Sequence, residues 1–503
     1  MQKTETAASE RRDPADHAAA LEERVAGQRA KCEALFLRLR EASPADSAGL
    51  RAELALAHSA LDDALERMAS LSWNDDPRGE VLAEIDRVLV GVAATGIVGL
   101  GQLTDARAAL AQGDPAPADR ILAELAARNT GPADVLARLA YARGLSAELA
   151  LCWSDAAAQF ALSARLDPDL RSLRKARALS CRIGDLTAAF RFGKGLLVLA
   201  ETAGSAADRA VAMAEHALTL EAQDRLAEAE GFLRKAVVGG RRADGLSGPD
   251  HARHLAQLAR VLDAQDRLPE AEAALRKALE ATRTAQGEAH PDYCGRLNAL
   301  AGLLLAQDRD AEAEALHLKA MDLARRLPGG GHTVIIDSLS GLAQLRERQG
   351  RLEEAERLHR QALQLDQDLS GRTHPDFAGR VCALAEVVRA ARRLPEAETL
   401  FRLALEVDRA TIGEAHGDYG VALNNLAGVV EAQARPEEAE ALYAEALAIF
   451  RQTFGDLHPS TQKVVRNFRA LILSQLPGSV HRSGVEALWA AGQAAVPGLA
   501  LGS

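Results

Sequence analysis

The second half of the chain repeats itself every 42 residues, and this regularity limits the possible folds more than any other property of the sequence. Stepping back from Ala427 by that period reaches Ala385, Ala343, Ala301, Ala259 and Ala217. From Ala439 the same step reaches Ala397, Ala355, Ala313, Ala271 and Ala229, and from Ala446 it reaches Ala404, Ala362, Ala320, Ala278 and Ala236. Arginines recur at 225, 267, 309, 351, 393 and 435, each followed three residues later by a glutamate, Glu228 through Glu438. Histidines recur in a loop at His290, His332, His374, His416 and His458, with Gly248 in the remaining place. Fixed self-similarity of this length marks one supersecondary unit stacked on itself. Such an array has no single core and grows by adding neighbours, so 503 residues give no count of domains.

The unit is helical. Aromatic residues make up 3% of the chain while alanine and leucine dominate, which suits helices packed through small side chains and leaves sheets little to pack. Each copy opens at a loop typified by Gly371-Arg372-Thr373-His374-Pro375-Asp376. Proline in a first helical turn loses no hydrogen bond, and the acidic residue suits the positive end of the helix dipole. Helix A follows, with Leu423, Leu426 and Val430 on one face in the last copy. A break comes at Ala434-Arg435-Pro436-Glu437, and helix B carries Ala439, Leu442, Tyr443, Ala446 and Leu447. The period fits two helices of some 14 residues with turns and a longer connector.

Around the six copies, at 206–459, the chain divides into further zones. Residues 1–16 are polar, charged and aperiodic, as in disordered segments. Residues 17–73 hold two apolar seams with coiled-coil spacing, Leu21 to Leu39 and Leu50 to Leu71, joined at Ser43-Pro44-Ala45. An antiparallel helical hairpin is expected, either covering the first repeat or pairing two chains as a homodimer. Residues 74–205 read as irregular helices, in which Gly144, Ala156, Phe160 and Pro168 have the spacing of a 34-residue tetratricopeptide repeat. Residues 460–476 form a capping helix with Val464, Val465, Phe468 and Leu471, and residues 477–503 a Gly-, Ala- and Pro-rich tail in which 485–491 places Trp489.

The segments Leu423-Asn424-Asn425-Leu426-Ala427, Pro436-Glu437-Glu438-Ala439-Glu440-Ala441-Leu442-Tyr443 and Phe454-Gly455-Asp456-Leu457-His458-Pro459 resemble the 42-residue tetratricopeptide variant of kinesin light chains and their bacterial relatives. The resemblance implies an all-α, right-handed superhelical solenoid whose concave groove, lined by helix A, accepts extended peptides. It also implies that the asparagines of the Leu-Asn-Asn-Leu motif clamp the bound backbone, since a side-chain amide offers donor and acceptor together. Only Asn298, Asn424 and Asn425 match; Ala256, Ser340 and Cys382 stand at the same place in other copies. Further along helix A, the groove candidates are Arg260, Gln344, Glu386, Arg389 and Glu431, of mixed charge.

Other chemistries find little support. The net charge of −11 and pI near 5.7, without a basic run, argue against nucleic acid. The longest uncharged apolar stretch, Val88 to Leu103, is 16 residues with four glycines, short of the ~20 that span a bilayer. The N-terminus lacks a signal sequence's apolar region, and the five scattered cysteines suggest neither disulfides nor a zinc knuckle, so a cytoplasmic setting is expected. Neighbouring ladder histidines, a helix pair apart, are too distant to share a metal; loop capping is expected of them. His251 and His254, three apart, are expected on a solvated face, His317 and His359 in the packing of helix B, and the Arg/Glu ladder in the turns. No phosphate loop, H-E-x-x-H or G-x-S-x-G motif occurs. The reading is a non-enzymatic adaptor, without metal or cofactor, that binds a peptide or folded protein. The alternative is a regulatory subunit that senses a small ligand or controls a separate enzyme.

Overall fold

The computed structural model describes residues 77–475, apart from the connecting segments 96–99, 112–114, 129–131, 245–247, 328–330 and 372–374, together with scattered residues between 27 and 60. The expected N-terminal segment 1–16, the tail with Trp489 and the loop residue His374 lie outside them, as does most of the hairpin at 17–73. The residues described between Gly27 and Ala60 are helical, and the seam positions Leu35, Leu54 and Ala57 are buried. Among the described residues the regular structure is entirely helical, without strands. The chain divides into two compact units, Met1–Ala176 with Leu327–Gly331, and Arg177–Arg326 with His332–Ser503.

In the first unit, α1 (Pro77–Thr95), α2 (Leu100–Ala111), α3 (Pro115–Arg128), α4 (Ala133–Leu149) and α5 (Trp153–Leu166) pack in series, while α1 lies against α4 and, less extensively, α2. The apolar stretch Val88–Leu103 is thereby shared between two helices. Among the described residues no helix is long and apolar enough to cross a membrane. Gly144 permits the tight crossing of α4 and α5, because a Cβ there would stand 2.8 Å from the Phe160 ring. Tyr141 meets the same ring edge-on, with centroids 5.2 Å apart. Phe160 is fully buried as a result.

After α6 (Leu170–Arg182) and α7 (Leu186–Ala203), the second unit contains the six copies. Each is a helix A and a helix B: α8 (Ala206–Ala222) with α9 (Leu226–Asp244), α10 (Pro249–Ala264) with α11 (Leu268–Gln286), α12 (Pro291–Ala306) with α13 (Asp310–Ala324), α14 (His332–Arg348) with α15 (Leu352–Ser370), α16 (Pro375–Ala390) with α17 (Leu394–Thr411), and α18 (Gly417–Ala432) with α19 (Pro436–Phe454). The helix α20 (Pro459–Gln475) closes the array on α19. All eighteen ladder alanines are at most 1% exposed. Their methyl groups mark where helices cross too closely for anything larger, which is why the same small residue returns each time.

The helices exceed the expected length of some 14 residues; α18 has 16 and α19 has 19. The connector winds on into helix B until a left-handed glycine stops it, as at Gly287, Gly371 and Gly455, with φ of 84°, 71° and 85°. The turn from A to B also has a fixed left-handed residue, but only once a glycine: Asp224, Asp266, Asp308, Gly350, Arg392 and Ala434. The ladder arginine comes next, its N–H bonded to the carbonyl five residues back, as in Arg309 to Leu304 at 2.9 Å. This is the Schellman closure of helix A. The arginine side chain then turns to carboxylates: Arg267 holds Glu270 through Nε and Nη2 at 2.8 and 2.7 Å, and Glu230 of the preceding repeat through Nη1 at 2.8 Å. The turn role expected of the Arg/Glu ladder is therefore joined by a second one, bridging repeat to repeat.

His251 and His254 correct the sequence reading. They are buried, 6% and 1% exposed, not solvated. Their Nδ1 atoms lie 3.1 and 3.2 Å from the carbonyls of Val237 and Ala236 in α9. The reason is Gly239-Gly240 opposite, which leaves room for rings: a Cβ at Gly240 would stand 3.2 Å from His254 Nδ1. Burial pushes the His254 pKa down to about 4.

Candidate partner-binding face

Of the six successive pairs of A helices four touch directly, α8 with α10, α12 with α14, α16 with α18 and α18 with α20, whereas no two neighbouring B helices meet to that extent. The A helices therefore form the inner side of the array in the second unit. Packing consumes the ladder residues, so the free face consists of positions that do not repeat.

The three matched asparagines differ in their surroundings. Asn298 is committed within the fold: its Nδ2 donates to the Val334 carbonyl at 3.1 Å, and its Oδ1 accepts from Ser338 Oγ at 2.9 Å and lies 3.0 Å from His317 Nδ1. This amide ties α12, α13 and α14 together. Asn424, 7% exposed, accepts from Asn467 Nδ2 of α20 at 2.9 Å and donates to Asn425 Oδ1 at 3.2 Å. Asn425 itself is half-buried. Asn467 and Ser338 were not singled out from the sequence. Asn467 is the Asn425 position carried 42 residues on, so the period itself was the signal that could have found it.

The other candidates sit on the accessible side. Gln344 is exposed; Glu386 and Arg389 form an ion pair at 2.6 Å with Arg389 outermost. Glu431 accepts from the Tyr443 hydroxyl at 3.2 Å, and Arg260 bonds Glu221 one repeat away at 2.6 Å. His359 and Glu347, at 3.0 Å, repeat the Tyr443–Glu431 arrangement in another copy. His317 lacks such a carboxylate because Leu305 stands where Glu347 and Glu431 do, so its ring turns to Asn298. His317 and His359 are both 3% exposed, in the packing of helix B.

The ladder histidines cap helices. Nδ1 of His290, His416 and His458 accepts the backbone N–H two residues on, each at 3.1 Å. That bond requires a neutral ring, and burial lowers the pKa of all three. No cluster of three or more His, Cys, Asp or Glu suited to a metal occurs among the described residues. In the first unit, a cavity of about 260 Å³ is lined by Arg87, Arg138, Tyr141, Ser163, Asp167 and Arg171 among others, with the Tyr141 hydroxyl donating to Glu84 at 2.6 Å.

A tetratricopeptide-repeat family model matches residues 208–284, 294–368 and 380–452, the span of the stacked pairs just described. The array is built of tetratricopeptide repeats. Repeats of this kind are generally protein–protein interaction scaffolds and typically non-enzymatic. Among solved structures the chain is similar to BtubC (BKLC) from P. vanneervenii, at 21% identity and a TM-score of 0.39 over 47% of this chain and 96% of that one. It is also similar to a kinesin-light-chain-like protein of Podosopora anserina with nearly identical TPR-like repeats, at 21% identity and a TM-score of 0.33 over 41% and 97%. No curated protein matches the sequence.

Proposed function

We propose that this tetratricopeptide array is a non-enzymatic adaptor that binds a protein partner along the inner face of its A helices. The supporting observation is the division of labour on those helices. The ladder alanines are buried in packing, while Gln344, Glu386, Arg389, Asn425 and Glu431 lie on the accessible side at positions that vary between copies, Glu431 alone recurring, as Glu347 and Glu221. Beside them Gly295, Gly302 and Gly379 have no atom within 4 Å of where a Cβ would stand, so a partner's backbone can approach closely. Asn298 and Asn424 serve this face indirectly, by fixing the spacing of adjacent A helices.

The test is affinity capture with the full chain, comparing wild type with a variant carrying alanine at Gln344, Glu386, Arg389, Asn425 and Glu431. A partner retained by the first and lost by the second is the expected outcome. Identical capture by both would move the binding site elsewhere.

A second reading, a regulatory subunit sensing a small ligand, draws on the cavity beside Arg138, Tyr141 and Arg171. A thermal shift produced by a small molecule without any protein partner, and lost in Arg138→Ala, favours it over the adaptor.

A further inference from the structure

Stacked repeats ordinarily touch only their neighbours in sequence. In the second unit, however, the turn after α6 meets a loop more than five repeats further along. A Cβ built at Gly184 would stand 3.4 Å from Cδ2 of His416, 3.9 Å from its Nε2 and 3.7 Å from Cγ2 of Thr453. The Nδ1 of the same ring accepts the Asp418 N–H at 3.1 Å. That bond requires the neutral tautomer with its proton on Nε2, the nitrogen on the side of Gly184. Gly184 has φ of 78°, a conformation glycine adopts without penalty, and a Cβ there would already be in van der Waals contact with the ring, so only a larger side chain would displace it. One rung along, Asp224 in the turn between α8 and α9 is near enough to His458 to favour that ring's charged form. Gly184 and Asp224 are the left-handed residues of two successive A-to-B turns, and His416 and His458 are one period apart.

We propose that His416 is a clasp joining the α6–α7 turn to the loop ahead of α18, which makes the second unit one cooperative turn of superhelix instead of a string of nearest-neighbour contacts. Capping alone does not need this contact, since His290 caps α12 with the same bond and no partner of this kind. Opening the array then requires the clasp to break, so the two elements lose protection together although they are remote in sequence.

Hydrogen–deuterium exchange on the full chain tests this. His416→Asn keeps a side-chain acceptor for the helix start but is too short to reach the Gly184 turn. His290→Asn is the matched control. Amides 183–188 are expected to exchange roughly tenfold faster in the first variant and as in wild type in the second. Unchanged exchange at 183–188 in a folded His416→Asn protein overturns the clasp. Gly184→Asn, which tolerates the positive φ but places side-chain atoms beyond the Cβ against the ring, supplies the reciprocal measurement: it should loosen the Asp418 amide, and wild-type protection there would likewise overturn the clasp.

Discussion

Nη1 of Arg309 lies 2.9 Å from Oε2 of Glu272 in the preceding repeat, while Nε and Nη2 of the same guanidinium hold Glu312 at 2.8 and 2.7 Å. A planar fork with five donors can make both attachments at once, which the point charge of a lysine cannot. Glu272 has side-chain exposure of only 16% and also faces Arg276, so the bridge sits where screening by salt is incomplete.

Arg309→Ala is therefore expected to lower the urea midpoint more than Arg351→Ala does. Arg351 holds Glu354, but Glu314, the counterpart of Glu272, is taken by Arg346. The difference between the two variants should narrow only in part as NaCl rises from roughly 0.05 to 1 M, since a partly buried pair is screened less than an exposed one. Equal midpoints at low salt would show that the bridge between repeats contributes nothing.

Ala355 is fully buried at the crossing of α14 and α15. Ala355→Leu should overpack that crossing and destabilise the array by about 1–3 kcal/mol, measured by chemical unfolding. A neutral result would contradict the register.

Ala434 holds φ of 58° at the end of α18, where its counterpart in the fourth copy is Gly350. The left-handed region penalises a Cβ, but glycine also enlarges the unfolded ensemble. Ala434→Gly is expected to stabilise by up to about 1 kcal/mol, the difference between the two effects. A lower midpoint would show that strain at the turn is already relieved.

Asp408 is 3% exposed, and burial, followed by the nearby Asp418, pushes its pKa up to about 7. The contrast with Asp366, one period earlier, is instructive. Asp366 has Arg380 at 3.5 Å, and the residue one period after Arg380 is Ala422. Because the folded-state pKa is raised, the fold retains a proton that the unfolded chain has released, and the associated stability is lost as pH rises through about 7. Asp408→Asn should thus stabilise by up to about 3 kcal/mol at pH 8 and by little at pH 4. A gain independent of pH would rule out ionisation as the cause.

Much of this could be read in the chain itself, but unevenly. The alanine ladders identified the helix crossings because close packing admits one residue size, and a size constraint leaves a visible repeat. Polar residues carried no such mark. The motif suggested Asn298 and Asn424 as groove residues, but it could not show that each amide is bonded to a neighbouring helix, because a sequence motif does not reveal which way an amide turns. His251 and His254 looked solvated because their room comes from Gly239-Gly240 on another helix.

The same distinction applies to the 42-residue period. By itself the sequence determined the unit, its two helices, its crossings and its turns, because those depend on residues within one copy or its neighbour. The curvature of the array was left to the tertiary structure, since small rotations between repeats add up over several copies. That accumulated rotation brings His416 and Thr453 to Gly184, a contact between distant turns that no local spacing encodes.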